Sequence, residues 1–457
     1  MHKYRMKAVH IAVTTLLGAA GAVSAIPAHA ETEVEALKRE LAEQRELINK
    51  LLAAQASQKE AIEKIEARPA QAAVAAAPAG KSSILPEGFT PYATLDVNVS
   101  NANSGYGRKT TVGSGGMSQS SIGVKMDKPI GQALPVGGAL HMVGEIEMGI
   151  DLSTGVAGNG ANAAGVNANV PSSGAILGNG SQLFARQAYA GVSSDYGQIL
   201  LGRQYAGTYI AEVAGTAFGP GFYGSDLLFL PPIGGSPSRF SNALVLRSPN
   251  FSGLSLQFDW TAGSENNVNG AILSGASTVK DNSGQGWDLT AFYNNGPVSV
   301  NLATWNIKNT SYATGETGLA TKKGVMLAGN YDFGFAKLFG TYMTGTIKGG
   351  NYQNITQTLS KSQGWSVSTS IPVDRHTFIA SFSALNDKSL QNHDANLFGV
   401  GYTYRLYDKT WFYLNYARLK NKGNSTYSLM NGGDLVGNIA APGISPSAFM
   451  IGINTRF

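Results

Sequence analysis

The sequence predicts an all-β fold, a 16-stranded antiparallel transmembrane β-barrel preceded by a coiled-coil helix. Three observations lead to this prediction. From Phe89 onward, the chain consists of short segments in which polar and apolar residues alternate, the pattern of half-buried strands. Short and long connections alternate between these segments, as they do in barrels of the outer membrane. A secretory signal precedes them, and no later segment has the roughly 18 consecutive apolar residues of a membrane-spanning helix.

Residues 1–30 are predicted to be a cleavable signal peptide. The first residues are basic, an apolar stretch follows from Ala8 to Ala25, and Ala28-His29-Ala30 gives an A-x-A cleavage site. An uncleaved membrane anchor is the alternative, but small residues stand where a stop-transfer sequence needs bulky ones. We therefore expect the mature chain to begin at Glu31 in the periplasm.

Residues 31–68 predict a periplasmic coiled coil. Apolar residues recur with 3,4 spacing from Val34 to Ile65, over about five heptads and roughly 50 Å of helix. Glutamines occupy several core positions, where polar residues fix register or oligomer number rather than add stability. A single solvated helix is the alternative. The Ala/Pro-rich linker at 69–88 should decouple this helix from the barrel at 89–457.

The composition excludes several functional classes. The chain has 57 glycines, no cysteine, and 34 Lys and Arg against 29 Asp and Glu. Without cysteine there are no disulfides, thiolate metal sites or cysteine nucleophiles. The small basic surplus, with no basic run among aromatics, gives no indication of nucleic-acid binding. Motifs of hydrolases, zinc proteases and nucleotide-binding loops are missing, so we expect no enzyme, cofactor or metal; His141, His376 and His393 are too scattered to predict a metal site.

Sixteen candidate strands follow, the first near 91–99 and the last near 448–457. On the third of them, Met142 and Ile146 share one parity, while Glu145 and Glu147 share the other. Asp259 on the seventh strand has the same polar parity, so these three carboxylates are predicted to face the lumen. A soluble barrel would give the same alternation with its apolar set inward. The signal peptide and the alternating connections favour lipid outside and water inside.

The last strand carries a further signal. Its apolar residues fall on one parity, and the chain ends on an aromatic residue: Phe449, Ile451, Ile453 and Phe457. This arrangement resembles the terminal signal that the barrel-insertion machinery of the outer membrane recognises. That machinery is therefore an expected partner.

Several stretches match one family in the right order: TPYATLDVNV at the first strand, SSIGVKM at the second, LFARQAYAGVSSDYGQILLGRQY across the fourth and fifth, ALVLRSPNFSGLSLQF across the sixth and seventh, and GINTRF at the end. From Thr90 to Phe457 the chain resembles the general trimeric porins of β-proteobacteria, the Neisseria and Burkholderia type. The coiled coil lies outside this resemblance, and most members lack it. The resemblance implies a homotrimer in the Gram-negative outer membrane, surrounded by lipid and lipopolysaccharide. Peptidoglycan is a candidate partner of the coiled coil.

The resemblance also implies a diffusion channel for small hydrophilic solutes, narrowed by an inward-folded third loop. That loop is the segment 206–238, which carries Glu212 and Asp226. Its length and apolar content favour packing against the inner wall; a lid at the barrel mouth is the alternative. Family constrictions place arginines on the facing wall, and two positions match, Arg186 and Arg239. A third position, usually basic, is Ser121.

Parity extends this set of wall residues. If the sixth strand sends Phe240, Leu244 and Leu246 to lipid, Arg239 and Arg247 face the lumen. Lys125 shares the inward parity of Ser121, and Arg203 is a further candidate on a strand without a clear apolar face. Because acidic residues stand against these bases, we predict a weak preference for anions.

Three functions remain open at this point. The first is a general diffusion channel. The second is a substrate-selective channel for a small anion such as phosphate or a carboxylate, which a saturable conductance block by one solute would favour. The third is a barrel enzyme such as an outer-membrane lipase, which needs a Ser, a His and a polar partner on the outer face.

Overall fold

The computed structural model describes residue 46 and residues 85–132, 138–155, 183–231, 233–263, 284–310, 319–348, 360–390, 392–431, 435–436 and 442–457. The chain divides into two units, Met1–Ser82 and Ser83–Phe457. The expected signal peptide and most of the expected linker lie outside the described residues, as does the expected coiled coil apart from Glu46, which is helical. No helix of the described part is long and apolar enough to cross a bilayer.

The second unit is built mainly from strands. In chain order they are β1 (Phe89–Asn103), β2 (Arg108–Ser114), β3 (Ser121–Gln132), β4 (Ala139–Gly149), β5 (Gln187–Ser194), β6 (Gly197–Tyr205), β7 (Arg239–Arg247), β8 (Leu254–Thr261), β9 (Gly286–Asn295), β10 (Val298–Thr310), β11 (Leu319–Asp332), β12 (Lys337–Lys348), β13 (Ser360–Val373), β14 (His376–Asp387), β15 (Ala395–Tyr407), β16 (Thr410–Asn421), β17 (Leu429–Met430), β18 (Leu435–Val436) and β19 (Ser447–Arg456). Two helices, α1 (Gly207–Ala214) and α2 (Asp226–Phe229), lie between β6 and β7.

The sheet closes on itself to form the predicted barrel. Each strand pairs with its neighbours in an antiparallel ladder, and β19 pairs with both β16 and β1. β3 pairs with the first half of β1 and β2 with the second half, so β2 and β3 are two parts of one barrel strand. Counted in this way, the closed antiparallel barrel has 16 strands, as the sequence predicts. The short β17–β18 ribbon is a separate pair.

One end of the barrel carries short turns, as the sequence predicts. Only a few residues separate β9 from β10, β11 from β12, β13 from β14, and β15 from β16. In the turn after β11, Phe333 donates its N–H to the carbonyl of Ala336 at 2.8 Å. Gly334 between them has φ 84°, a conformation that glycine adopts without steric strain. The longer connections lie at the opposite end.

The outer face of the barrel is apolar. Leu201 and Leu302 are 59% and 52% exposed, whereas the neighbouring inward residues Leu200 and Asn301 are buried. A closed barrel with large apolar side chains on its outside is solvated by lipid, because all its backbone groups are paired within the sheet. This outward apolar set excludes the soluble barrel considered above. The residues of the expected insertion signal are likewise exposed: Phe449, Ile451, Ile453 and Phe457.

The connection between β6 and β7 folds into the barrel. Leu230 and Ile233 are completely buried in it, and the rings of Phe222 and Tyr413 of β16 are 5.4 Å apart. Trp305 on β10 donates its indole N–H to the carbonyl of Gly234 at 2.8 Å. Because these contacts are made with inward-facing wall residues, the predicted inward-folded third loop is confirmed and a lid at the mouth is excluded.

Candidate pore constriction

The first residues of the third loop donate hydrogen bonds to two carboxylates of the barrel wall. Asp259 on β8 and Asp288 on β9 are direct neighbours in the ladder. Asp259 accepts the N–H of Gly207 at 2.8 Å, and Asp288 accepts the N–H of Thr208 at 3.1 Å and also its hydroxyl. Backbone N–H groups in the first turn of a helix have no partner within the helix, and the helix dipole favours negative charge there. The two aspartates therefore fix the start of α1 to the wall.

Asp259 has the inward parity predicted for it, but the loop covers it. Its exposed fraction is 0%. It therefore does not contribute a charge to the lumen water in the way that the sequence prediction assumed.

The rest of the loop crosses the wall strand by strand. Asn330 on β11 donates to the carbonyl of Ala214 at 2.8 Å, Ser368 on β13 accepts the N–H of Ala217 at 2.9 Å, and Ser381 on β14 donates to a loop carbonyl at 3.0 Å. Hydrogen bonds to side chains satisfy backbone groups that an irregular buried segment would otherwise leave unpaired. The loop thus lines β8 to β16 and faces the strands from β3 to β7.

Two arginines meet on the facing wall. Arg186 precedes β5, Arg239 begins β7, and the hydroxyl of Tyr205 at the end of β6 accepts Nη2 of both, at 2.7 Å and 2.6 Å. The guanidinium of Arg239 also lies 4.2 Å from the centroid of the Tyr205 ring. Glu147 Oε1 lies 2.9 Å from Arg186 Nε and offsets part of the positive charge. We call Arg186, Tyr205 and Arg239 the arginine pair with its bridging tyrosine.

A cavity of about 70 Å³ separates the arginine pair from the loop. Its polar lining comprises Ser118, Gln119, Arg186, Tyr209, Glu212, Ser236, Ser238 and Arg239. Nε of Arg239 is buried and has no hydrogen-bond partner among the described residues. The geometry therefore presents a cationic wall to a narrow space.

A kink in the wall completes this space. Between β2 and β3 the chain leaves the sheet and turns inward, and Asp96 on β1 accepts the N–H groups of Gly116, Met117 and Ser118, each at 2.9 Å. Tyr413 and Asn454 donate to the same carboxylate at 2.6 Å and 2.8 Å. A carboxylate that accepts so many charge-assisted hydrogen bonds is a strong local anchor.

The kink, residues 115–120, brings a further side chain to the arginine pair. The guanidinium of Arg186 donates to the amide oxygen of Gln119. Ser121, the third wall position, is buried directly after the kink. The small residue at this position suits the tight packing of the kink.

The other predicted bases lie elsewhere on the wall. Arg247 donates to Gln257 at 2.9 Å near the short-turn end, and Arg203 donates to the carbonyl of Ala185 at 2.6 Å. Lys125 Nζ lies 4.0 Å from Glu145. None of these three bases lines the cavity of the arginine pair.

The predicted lumen acids on β4 are engaged by neighbours. Glu145 accepts the hydroxyls of Tyr92 and Tyr189 at 2.6 Å and 3.2 Å, and Glu147 pairs with Arg186. Both are inward-facing and largely buried. Neither is a free carboxylate in the passage.

The acids of the loop are buried as well. Glu212 and Asp226 are each 2% exposed. Burial and the neighbouring Asp226 raise the pKa of Glu212 well above its usual range, and burial raises the pKa of Asp226 despite the hydroxyl of Ser366 that donates to it. Desolvation favours the neutral form of a carboxyl group. Glu212 and Asp226 therefore cancel less of the positive charge of the arginine pair than the sequence alone predicts.

One prediction about β7 is wrong. Leu246 faces outward as expected, but Phe240 is buried, with 4% exposed. The register between β6 and β7 shifts after Gly202, and Asn242 has φ 50°, the signature of a β-bulge. A bulge inserts one residue and reverses the alternation beyond it. The place of Arg239 beside Arg186 therefore does not follow from the alternation used to predict it.

Sequence reasoning missed four residues of this site: Asp96, Gln119, Tyr205 and Asp288. Asp288 lies between Trp287 and Leu289, so its inward parity could have been read in the same way as that of Asp259. Asp96 also alternates with apolar neighbours. Nothing in the local sequence marks Gln119 or Tyr205, because their roles depend on contacts between distant strands.

The chain resembles known proteins in sequence and in fold. The sequence profile of a family described as Gram-negative porin matches residues 67–424. Among solved structures, the anion-selective porin from Comamonas acidovorans has a TM-score of 0.62 and 21% identity over 81% of this chain and 99% of that chain. OmpT expressed in the outer membrane of Vibrio cholerae has a TM-score of 0.56 and 14% identity over 81% and 97%.

OmpF of Salmonella typhi, in complex with daunomycin, has a TM-score of 0.51 and 18% identity over 81% of this chain and 97% of that chain. A comparison with curated proteins found no match. At these identities the solved structures establish only the fold. The family profile matches most of the chain and therefore establishes the family. The chain therefore belongs to the Gram-negative porin family and forms a multi-pass β-barrel channel of the outer membrane.

Proposed function

We propose that this porin is a general diffusion channel for small hydrophilic solutes and ions, with a weak preference for anions. The observation that carries the proposal is the arginine pair on a single tyrosine hydroxyl, facing a narrow cavity. A cationic ring in a narrow, partly desolvated passage raises the local concentration of anions. The sign at the narrowest point outweighs charges at the mouth, because physiological salt screens over roughly 8 Å.

The preference is weak because Glu147 offsets part of this charge. The raised pKa values of Glu212 and Asp226 strengthen the anion preference, because a neutral carboxyl group cancels none of the positive charge of the arginines. The name of the Comamonas protein, an anion-selective porin, agrees with the proposed sign.

The test is the zero-current potential across a planar bilayer in a salt gradient. Replacing Arg186 and Arg239 together by Gln should move this potential toward cation preference. Replacing Lys125 and Arg247 by Gln is the matched control, because it removes two lumen charges outside the cavity and should have the smaller effect. An unchanged potential in the first double variant would overturn the assignment of the arginine pair to the narrowest point and leave the channel function intact.

A substrate-selective channel for phosphate or a small carboxylate is the second candidate. The arginine pair favours it, because two guanidinium groups beside one narrow cavity can bind an oxyanion with charge-assisted hydrogen bonds. Conductance of the purified channel should then be blocked saturably by one such anion. A conductance that rises linearly with the concentration of every anion tested would instead favour the general diffusion channel.

We propose further features by resemblance. The chain is of the β-proteobacterial type and forms a homotrimer, in line with the trimer form of OmpT of Vibrio cholerae. Residues 31–68 form a periplasmic coiled coil that joins the three subunits, with peptidoglycan as a candidate ligand. The barrel contacts outer-membrane lipid and lipopolysaccharide and is inserted through its terminal signal. It has no enzymatic activity.

A further inference from the structure

We propose that the cavity between the arginine pair and the third loop is a binding site for monocarboxylates with a compact apolar body, such as benzoate. This inference rests on the channel proposed above and names the class of solute that its narrowest point binds best. The cavity has two linings of opposite character, one for each part of such a solute.

The cationic lining belongs to the barrel wall. Arg186 and Arg239 both line the cavity, and the hydroxyl of Tyr205 accepts Nη2 of each, at 2.7 Å and 2.6 Å. Guanidinium groups donate charge-assisted hydrogen bonds to a carboxylate, and these are stronger than hydrogen bonds between neutral groups. Because Glu147 pairs with Arg186, the wall has positive charge left for one carboxylate group rather than for two.

The lining on the loop side is largely apolar. Leu227 and Leu228 of α2 line the cavity together with Pro220, Pro231 and Pro237. Leu227 is 4% exposed, whereas Leu228 is half-buried and leaves part of its surface open to the cavity. Proline has no N–H group, so the three prolines offer no backbone donor to a polar solute.

The loop places little negative charge opposite the arginines. Glu212 and Asp226 are the charged residues of the segment 206–238, and of these two Glu212 lines the cavity. Burial and the neighbouring Asp226 raise the pKa of Glu212 well above its usual range, which favours its neutral form. An entering carboxylate is therefore attracted by the wall and repelled little by the loop.

A stacked pair of tyrosines joins the two linings. The rings of Tyr205 on β6 and Tyr209 on α1 have centroids 4.9 Å apart and an interplanar angle of 8°. Tyr209 lines the cavity, so an aromatic ring adjoins the arginines where the two linings meet. Aromatic rings contribute large apolar contact surfaces. A planar aromatic acid is therefore a suitable probe of the site.

The two linings together discriminate among carboxylates by the body of the solute. Apolar surface gains free energy when it leaves water for an apolar lining. A polyhydroxy acid instead loses hydrogen bonds to water when it lies against leucine and proline side chains. Acetate has little apolar surface to bury. We therefore expect benzoate to bind more tightly than acetate or gluconate, although all three carry one negative charge.

The experiment records chloride current through the purified full-length protein in planar bilayers at neutral pH. The probes are benzoate, acetate, gluconate and benzyl alcohol, which has the ring without the charge. Benzoate should lower the current saturably, with a half-blocking concentration about tenfold or more below those of acetate and gluconate, because it alone buries a ring beside the arginines. Benzyl alcohol should not block.

Three variants assign the block to the cavity. Leu228→Gln should raise the half-blocking concentration of benzoate about fivefold or more, because an amide replaces apolar contact surface, whereas Leu228→Met should retain the block. Arg186→Gln combined with Arg239→Gln should abolish it. Val213→Gln is the matched control and should behave like the wild type, since Val213 is 36% exposed on the same loop but does not line the cavity.

Three outcomes would overturn this site. They are equal block by benzoate, acetate and gluconate, equal block by benzoate and benzyl alcohol, and the same half-blocking concentration of benzoate in the wild type and the arginine double variant. Chloride conductance and zero-current potential without any probe are recorded on the same channels. A wild type that conducts no chloride or prefers cations would count against the proposed function. Normal chloride conductance without preference for benzoate would count against the binding site alone.

Discussion

At the scale of single residues, Asp96 shows how one buried carboxylate shapes the passage. It accepts three N–H groups of the kink, and the kink presents Gln119 to Arg186. Asp96 does not line the cavity itself. It therefore acts on the passage by positioning other groups.

Replacing Asp96 by Asn should release the kink. The amide nitrogen of Asn cannot accept hydrogen bonds, so two or three donors that now share the carboxylate would lose their partner. We expect the free energy of unfolding to fall by about 1–3 kcal/mol and single-channel current to become noisier. Chemical unfolding of the barrel in detergent and bilayer recordings measure the two effects.

Ser100→Ala is the control for this variant, because Ser100 is buried on the same strand and bonds to Thr111 outside the kink. Equal channel noise in the two variants would contradict the positioning role of Asp96.

The pKa shifts of Glu212 and Asp226 predict a pH dependence. A carboxyl whose pKa is raised in the folded protein retains its proton when the unfolded chain has released it, so stability falls as pH rises above the ordinary pKa of about 4. Ionisation also adds negative charge beside the arginine pair. Anion preference should therefore decline with rising pH and decline less in Glu212→Gln.

The zero-current potential measured across a pH series tests this prediction. Asp332→Asn is the control, since Asp332 is exposed at the short-turn end. The same pH slope in the wild type and in Glu212→Gln would count against Glu212 as the group that titrates.

At the scale of elements, the third loop depends on close approach to the wall. Gly234 has φ 60°, and a Cβ there would stand 2.5 Å from the carbonyl oxygen of Lys323 and 2.9 Å from Cα of Gly345. Gly219 in the same loop also has φ 60°, but a Cβ there would meet nothing within 4 Å. Comparing substitutions at these two glycines therefore separates the cost of backbone strain from the cost of steric overlap with the wall.

Gly219→Ala should cost about 1–2 kcal/mol, because a left-handed conformation strains any residue with a Cβ. Gly234→Ala should cost roughly 1–3 kcal/mol more, because the loop must also move away from the wall. Unfolding measurements give the difference, and a loop shifted into the passage should lower the single-channel conductance. Equal stability and conductance of the two variants would show that the loop does not rest on the wall at Gly234.

The elements also show what sequence alone predicts. Alternation and turn chemistry gave all sixteen barrel strands, because each strand has one face in lipid and repeats with period two. The bulge at Asn242 and the kink after Ser114 escaped prediction, since both depend on partners in distant strands. The arginine pair was found by resemblance, but its bridging Tyr205 and the burial of Asp259 required the route of the loop. Local sequence patterns predict which face of a strand points to lipid or to the lumen. The arrangement of the constriction depends instead on contacts between residues from distant strands and the third loop.

At the scale of the whole molecule, assembly is the open prediction. Deletion of residues 31–68 should leave the barrel able to trimerise, because family resemblance assigns the main interface to the barrel. Cross-linking and native mass measurement of this variant distinguish the contributions. A wholly monomeric product would show that the amino-terminal helix, rather than the barrel, holds the subunits together.

The pairing of β1 with β19 has a consequence for biogenesis. Asn454 on β19 donates to Asp96 across a sequence separation of 358 residues, and contacts between such distant residues form late because the intervening chain must first be ordered. Until β1 and β19 meet, Asp96 lacks the hydrogen bond from Asn454, so the anchor of the kink is incomplete. A barrel whose seam between β1 and β19 is still open therefore holds the kink by fewer hydrogen bonds. Closing the seam thus also completes the anchor of the segment that brings Gln119 to Arg186.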